Sequence, residues 1–310
     1  MLIAGEVQTA FLRGSDPVEP GRARRLVDLV VGEPVLVSTR PIAHVRSPQI
    51  PVGVDCRLGT AGSTRQVRGV GTALQRAAIT GGHILQGSAY ATFAHGEGGA
   101  RRPWSHYLAR PGVIETLSRV GWDELAVALT GVEASGASLD LAAMAGRVAD
   151  RVQRSVPRGG TVRLRSARTR LRWVASVEAS GAVRVGFSVR GGDLRTLRLT
   201  VPFGTAGELA AACEDVALHD WLLSSLLEIT DKSAIGVLPR EQALTRLLPA
   251  IDYLLHLWMP GARGVALTDE IWRALEARPG FTRQWDSVVH RIRDQLSVGA
   301  VASLAASRAS

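Results

Sequence analysis

The densest group of side chains capable of chemistry lies between Arg101 and Gly112, at the end of a glycine-rich stretch that begins at Gly53. Aromatic, basic, hydroxyl and imidazole groups occur together there. Ser105 and His106 are neighbours in sequence, so they point in different directions and do not form a nucleophile–base pair. Catalysis by this block is therefore disfavoured.

Two further interpretations of the block stay open. In the first, Trp104, Tyr107 and Leu108 anchor a hairpin to the helix that follows it. In the second, an exposed Trp104/Tyr107 pair surrounded by arginines binds another protein, because aromatic and arginine side chains are enriched at interfaces. The interface candidates are Arg101, Arg102, Trp104, His106, Tyr107 and Arg110.

A second group consists of arginines that alternate along predicted strands. Residues i and i+2 of a strand share a face, so these guanidinium groups are placed to form one basic surface that binds a polyanion. The alternative is that they cover the solvated side of an antiparallel sheet. The polyanion candidates are Arg163, Arg165, Arg168, Arg170 and Arg172, with Arg184, Arg195 and Arg198 on the following strands.

A third group combines carboxylates and imidazoles on the C-terminal helices. Asp220 lies within an apolar helical stripe and must be paired there, because an isolated buried charge is too costly. Asp252 and His256 are four residues apart and therefore adjacent on a helix, as are Asp286 and His290. Such a pair can orient a general base, but structural pairs are commoner and no matching nucleophile is visible.

The known motifs for metals and nucleotides are missing from the sequence. His219, Asp220, Asp252 and His256 would have to converge to bind a metal, and no motif enforces that geometry. Gly69-Val70-Gly71 lacks the third glycine of a dinucleotide fingerprint, and Lys232, the sole lysine, is misplaced for a phosphate-binding loop. We expect no metal, no cofactor and no nucleotide hydrolysis by this chain alone.

Composition favours a cytosolic globular protein. The first residues lack a basic region, no apolar run reaches the roughly 18 to 20 residues that span a bilayer, and Cys56 and Cys213 make no disulfide framework. The net charge of +9 suggests that the protein binds nucleic acid. However, 36 of the 37 basic residues are arginine, which is typical of a GC-rich genome and weakens that inference.

The elements that would position these groups follow from periodicity. We predict strands at Leu2 to Leu12 and Pro34 to Val45, a loop at Pro48 to Pro51, and a hairpin of Val67 to Ile79 with His83 to Phe93. Helices are predicted at Pro17 to Val31, from Pro103 with a restart through Ile114, Leu117 and Val120, and at Trp122 to Leu129. A further helix is predicted from a Ser138 cap to an end near Pro157 to Gly160.

From residue 161 the period changes to two and predicts four strands: Thr161 to Ser166, Leu171 to Glu178, Val183 to Val189, and Leu194 to Val201. The remainder predicts helices at Thr205 to Thr230, Arg240 to Met259, Thr268 to Ala277 and Thr282 to Leu296. The predicted fold class is α+β, with antiparallel β regions in an N-terminal domain (1–203) and a helical domain (204–310). In the alternative arrangement, the helices pack onto the sheet as one unit.

Several phrases resemble an uncharacterised family of actinobacterial proteins. They are GVDCRL (53–58), RGVGT (68–72), RRPWSHYLARPGV (101–113), ALHDWLLSSL (217–226) and LLHLWMPGA (254–262). The resemblance covers most of the chain and implies a gene cluster with a variant P-loop protein that would supply nucleotide hydrolysis. It implies no activity for this chain.

The leading hypothesis is therefore a cytosolic, non-enzymatic assembly or adaptor protein in a multi-protein system. Polyanion binding through the arginine-rich strands is the second hypothesis. An unrecognised enzyme that uses Asp220 or the Asp252/His256 pair is the third.

Overall fold

The computed structural model describes residues 1–13, 16–61, 63–131, 139–156, 164, 166–235, 237–262 and 266–309. The strands are β1 (Leu2–Phe11), β2 (Leu36–Ser38), β3 (His44–Arg46), β4 (Ile50–Thr60), β5 (Ser63–Thr80), β6 (Ile84–His95), β7 (Val113–Thr116), β8 (Thr169–Val177), β9 (Arg184–Arg190) and β10 (Leu194–Val201). Helices among the strands are α1 (Pro20–Leu26), α2 (Trp104–Leu108), α3 (Trp122–Thr130) and α4 (Leu141–Ser155).

After the last strand come α5 (Ala206–Lys232), α6 (Arg240–Tyr253), a 3-10 turn (Leu255–Leu257), α7 (Ala266–Ala277) and α8 (Phe281–Ala309). The predicted α+β class is confirmed. None of the described helices is long and apolar enough to cross a bilayer.

The described strands form one mixed sheet in the order β2-β3-β5-β7-β6-β1-β8-β10-β9, and β4 pairs with β5 beside this path. Most pairs are antiparallel, but β6 with β7 and β8 with β10 are parallel. The predicted antiparallel pairing therefore holds for most of the sheet, and the two parallel pairs were not predicted. β9 pairs with β10 rather than with β8.

Strand β1 shows why the sheet is buried on both faces. Ile3 and Val7 contact the core formed with the C-terminal helices, whereas Leu2 and Ala4 contact the core formed with α3 and α4. Successive side chains of a strand point to opposite faces, so this one apolar strand serves both layers.

Helix α5 is the centre of the C-terminal layer. It begins at a capping box, in which the Thr205 hydroxyl accepts a hydrogen bond from the Glu208 backbone N–H and the Glu208 carboxylate accepts one from the Thr205 N–H. It lies between the sheet and α6, α7 and α8, and residues along its whole circumference are buried. The boundary predicted near residue 203 falls just before α5, and one core cluster contains side chains from both sides of it.

The predicted hairpin is confirmed as β5 and β6, with positive φ at Gly81 and Gly82 in the turn. The predicted restart of a helix through Ile114 was wrong, because Val113–Thr116 inserts as β7 between β5 and β6. The predicted loop at Pro48 to Pro51 was wrong as well. Pro51 lies in β4, which among the described strands pairs with β5 alone, and proline is tolerated in such an edge strand.

The other differences concern element bounds. The predicted strand Pro34 to Val45 is two short strands, β2 and β3, and the first helix is confined to Pro20–Leu26. Ser138 lies outside the described residues, and the N-cap of α4 is Asp140. Most of the predicted strand Thr161 to Ser166 also lies outside them, and the described Leu164 and Ser166 are not in a strand. Helix α6 ends before Met259, while α8 continues beyond Leu296.

Candidate functional site

The short helix α2 packs on the outer face of β5 through one buried aromatic ring. Tyr107 is buried, and its hydroxyl accepts a hydrogen bond from the Arg102 backbone N–H at 3.0 Å. The Trp104 ring lies against Gly53 of β4, contacts Tyr107 edge-on at 5.8 Å between centroids, and stays 37% exposed. Leu108 is 60% exposed. Tyr107 is therefore an anchor, Leu108 is not one, and only Trp104 of the predicted aromatic pair reaches the surface.

Arginine surrounds the exposed tryptophan. The Arg101 guanidinium lies 5.2 Å from the centre of the Trp104 ring and 3.3 Å from the Asp55 carboxylate. Asp55 also accepts two hydrogen bonds from Arg68, at 2.8 and 2.9 Å, and these lower the pKa of its carboxyl. We call the exposed side chains of Arg101, Arg102, Trp104 and Leu108 the α2 patch.

Two of the predicted interface residues also bind a carboxylate of the protein itself. The carboxylate of Glu115 is buried, and it accepts hydrogen bonds from Arg110 and from His106 Nε2, the latter at 2.9 Å. His106 and Arg110 thus connect α2 to β7, and since both side chains keep an exposed part, their role as interface residues stays a prediction. Glu115 was not predicted as their partner, because its segment was interpreted as helix.

The arginines of the middle strands are largely neutralised by carboxylates. Arg163 and Arg165 lie outside the described residues. The described ion pairs are Arg168 with Asp150, Arg170 with Asp193, Arg172 with Glu6, Arg184 with Glu178 and Arg195 with Asp220. Arg195 contacts α5, whereas Arg168 contacts α4, so these two side chains lie on opposite faces. A single basic surface that includes Arg195 was a wrong prediction, and polyanion binding stays a prediction.

The polar residues of the C-terminal helices do not converge. Asp220 is buried against Arg195, with 2.8 Å between Oδ2 and Nε, which confirms that a carboxylate at this position must be paired. Asp252 and His256 are exposed. His219 is buried between Trp258 and Trp272. Within the described part of the chain, no three His, Cys, Asp or Glu residues are arranged to hold a metal ion.

Burial raises the pKa of Asp220 to about 6, although Arg195 lowers it in part. A folded pKa above the ordinary 3.8 means that this carboxyl favours folding most below pH 3.8, and the contribution is lost as the pH rises through about 6. We expect its ¹³C carboxyl resonance, assigned with Asp220→Asn, to titrate near pH 6. Arg195→Met should move the midpoint higher, and a wild-type midpoint near 3.8 would contradict the assignment.

Sequence reasoning missed a second buried ion pair, between Arg76 of β5 and Glu214 of α5. Two hydrogen bonds join the guanidinium and the carboxylate, at 2.7 and 2.9 Å, and the Ser88 hydroxyl donates a third to the same carboxylate. Burial raises the pKa of Glu214, but the charge and hydrogen bonds of Arg76 lower it by more, so the pKa lies below its ordinary value. The pair forms the wall of a cavity of about 570 Å³.

No protein-family model, curated protein or solved structure matches this chain.

One further carboxylate differs from the others. Glu6 of β1 is 2% exposed and accepts one hydrogen bond, from Arg172 Nε to its Oε2 at 3.1 Å. Its other oxygen, Oε1, is buried with no hydrogen-bond partner in the described structure. Burial raises the pKa of Glu6, although Arg172 lowers it in part. An unsatisfied buried polar atom costs about 1–3 kcal/mol, so its presence requires an explanation.

Proposed function

We propose that this chain is a non-enzymatic assembly protein that binds a partner protein through the α2 patch. The observation that carries the proposal is Trp104, an aromatic side chain left 37% exposed beside an arginine that stacks over it. Tryptophan and arginine are the residue types most enriched among those that dominate interface energies. Leu108, four residues along α2, extends the apolar part of the patch.

The charges around the patch indicate the kind of partner. Arg101, Arg102 and Arg68 outnumber the acidic residues that pair with them, Asp55 and Glu97. A partner with an acidic surface would complement this excess and associate faster at low salt. We propose the face of α2 rather than the edge of β4 as the contact, since Pro51 and the charged Asp55 and Arg57 of β4 discourage strand addition.

The resemblance noted in the sequence suggests the P-loop protein encoded nearby as the partner, and the cytosol as the compartment. Two observations are compatible with the cytosol. Cys56 and Cys213 are both buried and form no disulfide, and burial raises the pKa of the Cys56 thiol to about 12, which leaves it unreactive.

The test is isothermal titration calorimetry of the purified chain against the purified P-loop protein. We expect binding in the micromolar range or tighter, and Trp104→Ala should weaken it at least about tenfold, because truncation of a central aromatic side chain costs more than about 1.4 kcal/mol. Leu108→Glu should weaken binding similarly, since it adds a charge to the apolar part without removing a buried group.

The matched control is Val189→Ala, which alters an apolar side chain on β9 that is about as exposed as Leu108. It should change the affinity less than about twofold, within the scatter expected for residues outside a hot spot. Lack of any binding by the wild-type chain would overturn the choice of partner. Wild-type affinity in folded Trp104→Ala and Leu108→Glu variants would overturn the choice of surface.

A further inference from the structure

A cavity of about 380 Å³ lies on the α3–α4 side of the sheet. Its floor contains Glu6 of β1 and Arg172 of β8, and its apolar walls come from Leu58, Val127, Leu129, Leu139 and Leu141. The cavity therefore has the size of sites that bind small molecules, and its lining combines apolar side chains with a few charged ones.

Glu6, whose second carboxylate oxygen has no partner, is one of the residues that line this floor. Glu6 Oε2 is occupied by Arg172, which also donates to the Gly131 carbonyl at the end of α3. Glu6 Oε1 has no partner among the described residues, although the side chain is only 3% exposed. Buried polar atoms in native proteins are nearly always hydrogen-bonded, so this oxygen is an acceptor for which the described chain supplies no donor.

A second carboxylate lines the same cavity. Asp140, the N-cap of α4, accepts a hydrogen bond from the Ala143 N–H at 2.8 Å, and its charge adds to the burial that raises the pKa of Glu6. A cation placed near these two carboxylates would favour the charged form of Glu6. Arg57, the other basic residue of the lining, is exposed and lies on the outer face of β4.

We propose that this cavity binds a small molecule that carries a protonated amine on an apolar body. The amine donates a hydrogen bond to the Glu6 carboxylate, and the apolar body lies against the leucine walls. This site is separate from the α2 patch and does not depend on the role proposed for that patch.

The test uses phenethylamine as the probe, with 2-phenylethanol and 3-phenylpropionate as neutral and anionic analogues, and measures affinity by ligand-observed NMR. We expect phenethylamine to bind at least about tenfold more tightly than the alcohol, and the carboxylate analogue to bind most weakly. Glu6→Gln should abolish the preference for the amine, because it removes the negative charge and keeps the shape.

Two variants complete the design. Ala128→Phe, on the α3 wall, should block all three probes without touching Glu6. Glu178→Gln alters an exposed carboxylate elsewhere and should leave every affinity unchanged.

The pH dependence of the wild-type protein keeps the proposal testable if Glu6→Gln does not fold. Phenethylamine stays protonated throughout the range from pH 4 to 8, so its affinity should fall as Glu6 takes up a proton on acidification. Equal affinity for the three probes, no detectable binding of phenethylamine, or binding of the amine that is independent of pH would each overturn the proposal.

Discussion

Replacing Glu214 with alanine should lower the free energy of unfolding by about 3–5 kcal/mol, because it leaves the Arg76 guanidinium charged, buried and unpaired. Arg76 is 3% exposed, and Glu214 provides both of its carboxylate hydrogen bonds. The change also removes the acceptor of the Ser88 hydroxyl. Urea denaturation at pH 7, followed by circular dichroism, measures the difference.

Two comparisons make this prediction specific to a buried pair. Glu228→Ala breaks the exposed pair with Lys232 on the same helix and should change the free energy of unfolding by less than about 0.5 kcal/mol. The double variant Arg76→Met/Glu214→Leu should recover much of the loss, because it removes both buried charges. A Glu214→Ala effect as small as that of Glu228→Ala would show that the pair is not held as described.

The pH dependence of this effect has a definite sign. Arg76 holds the pKa of Glu214 below its ordinary 4.5, so the stabilisation is fully present above pH 4.5 and is lost as the pH falls through the folded pKa. The difference between wild type and Glu214→Ala should accordingly be constant around neutrality and shrink on acidification. Asp220, whose pKa is raised, has the opposite dependence.

These two carboxylates show what the sequence predicts about a buried helix. Asp220 interrupts a stripe of apolar residues at helical spacing, and that pattern alone requires a buried partner. Glu214 was not recognised, because α5 was expected to bury one face and instead packs against the sheet on one side and helices on the other. A helix buried all round has no single stripe from which to identify the polar residues that need partners.

The strand predictions succeeded where local signals were sufficient. Alternation and the glycines at 81 and 82 identified the β5–β6 hairpin. Local signals do not identify the four-residue strand β7, because Ile114 fits both a helical and a strand pattern. The position of β7 depends instead on its pairing with β5 and β6, which is a tertiary contact. The parallel pairing of β8 with β10 is likewise a tertiary outcome that no turn sequence encodes.

The two candidate sites also differ in how much of each can be predicted from the sequence. The α2 patch is visible in the sequence because Arg101, Arg102 and Trp104 are nearly contiguous, although the burial of Tyr107 is not. The cavity around Glu6 could not be predicted, since Glu6 and Arg172 are 166 residues apart and neither stands in a motif. Only the pairing of β1 with β8 brings them together.

Substitution of Gly5 by alanine should lower the free energy of unfolding by about 1–3 kcal/mol, the usual effect of overpacking a core. Gly5 is paired with Trp173 on the neighbouring strand, and a methyl group at Gly5 would lie 2.5 Å from atoms of the Trp173 indole. Trp173 is 1% exposed and belongs to the core formed with the C-terminal helices, so the methyl group could be accommodated only if the indole moved. The glycine in the middle of this buried strand is therefore explained by the ring beside it.

A double-mutant cycle distinguishes this explanation from a general intolerance of β1 to substitution. Trp173→Leu alone should destabilise the protein by about 2–4 kcal/mol through loss of buried ring atoms. Addition of Gly5→Ala to that variant should then lower the free energy of unfolding by at least about 1 kcal/mol less than in the wild type, because the indole that clashes with the methyl group is absent. Gly59→Ala in β4, where a methyl group meets nothing within 4 Å, should have little effect. Strict additivity of the two substitutions would mean that Gly5 is required for some reason other than its contact with Trp173.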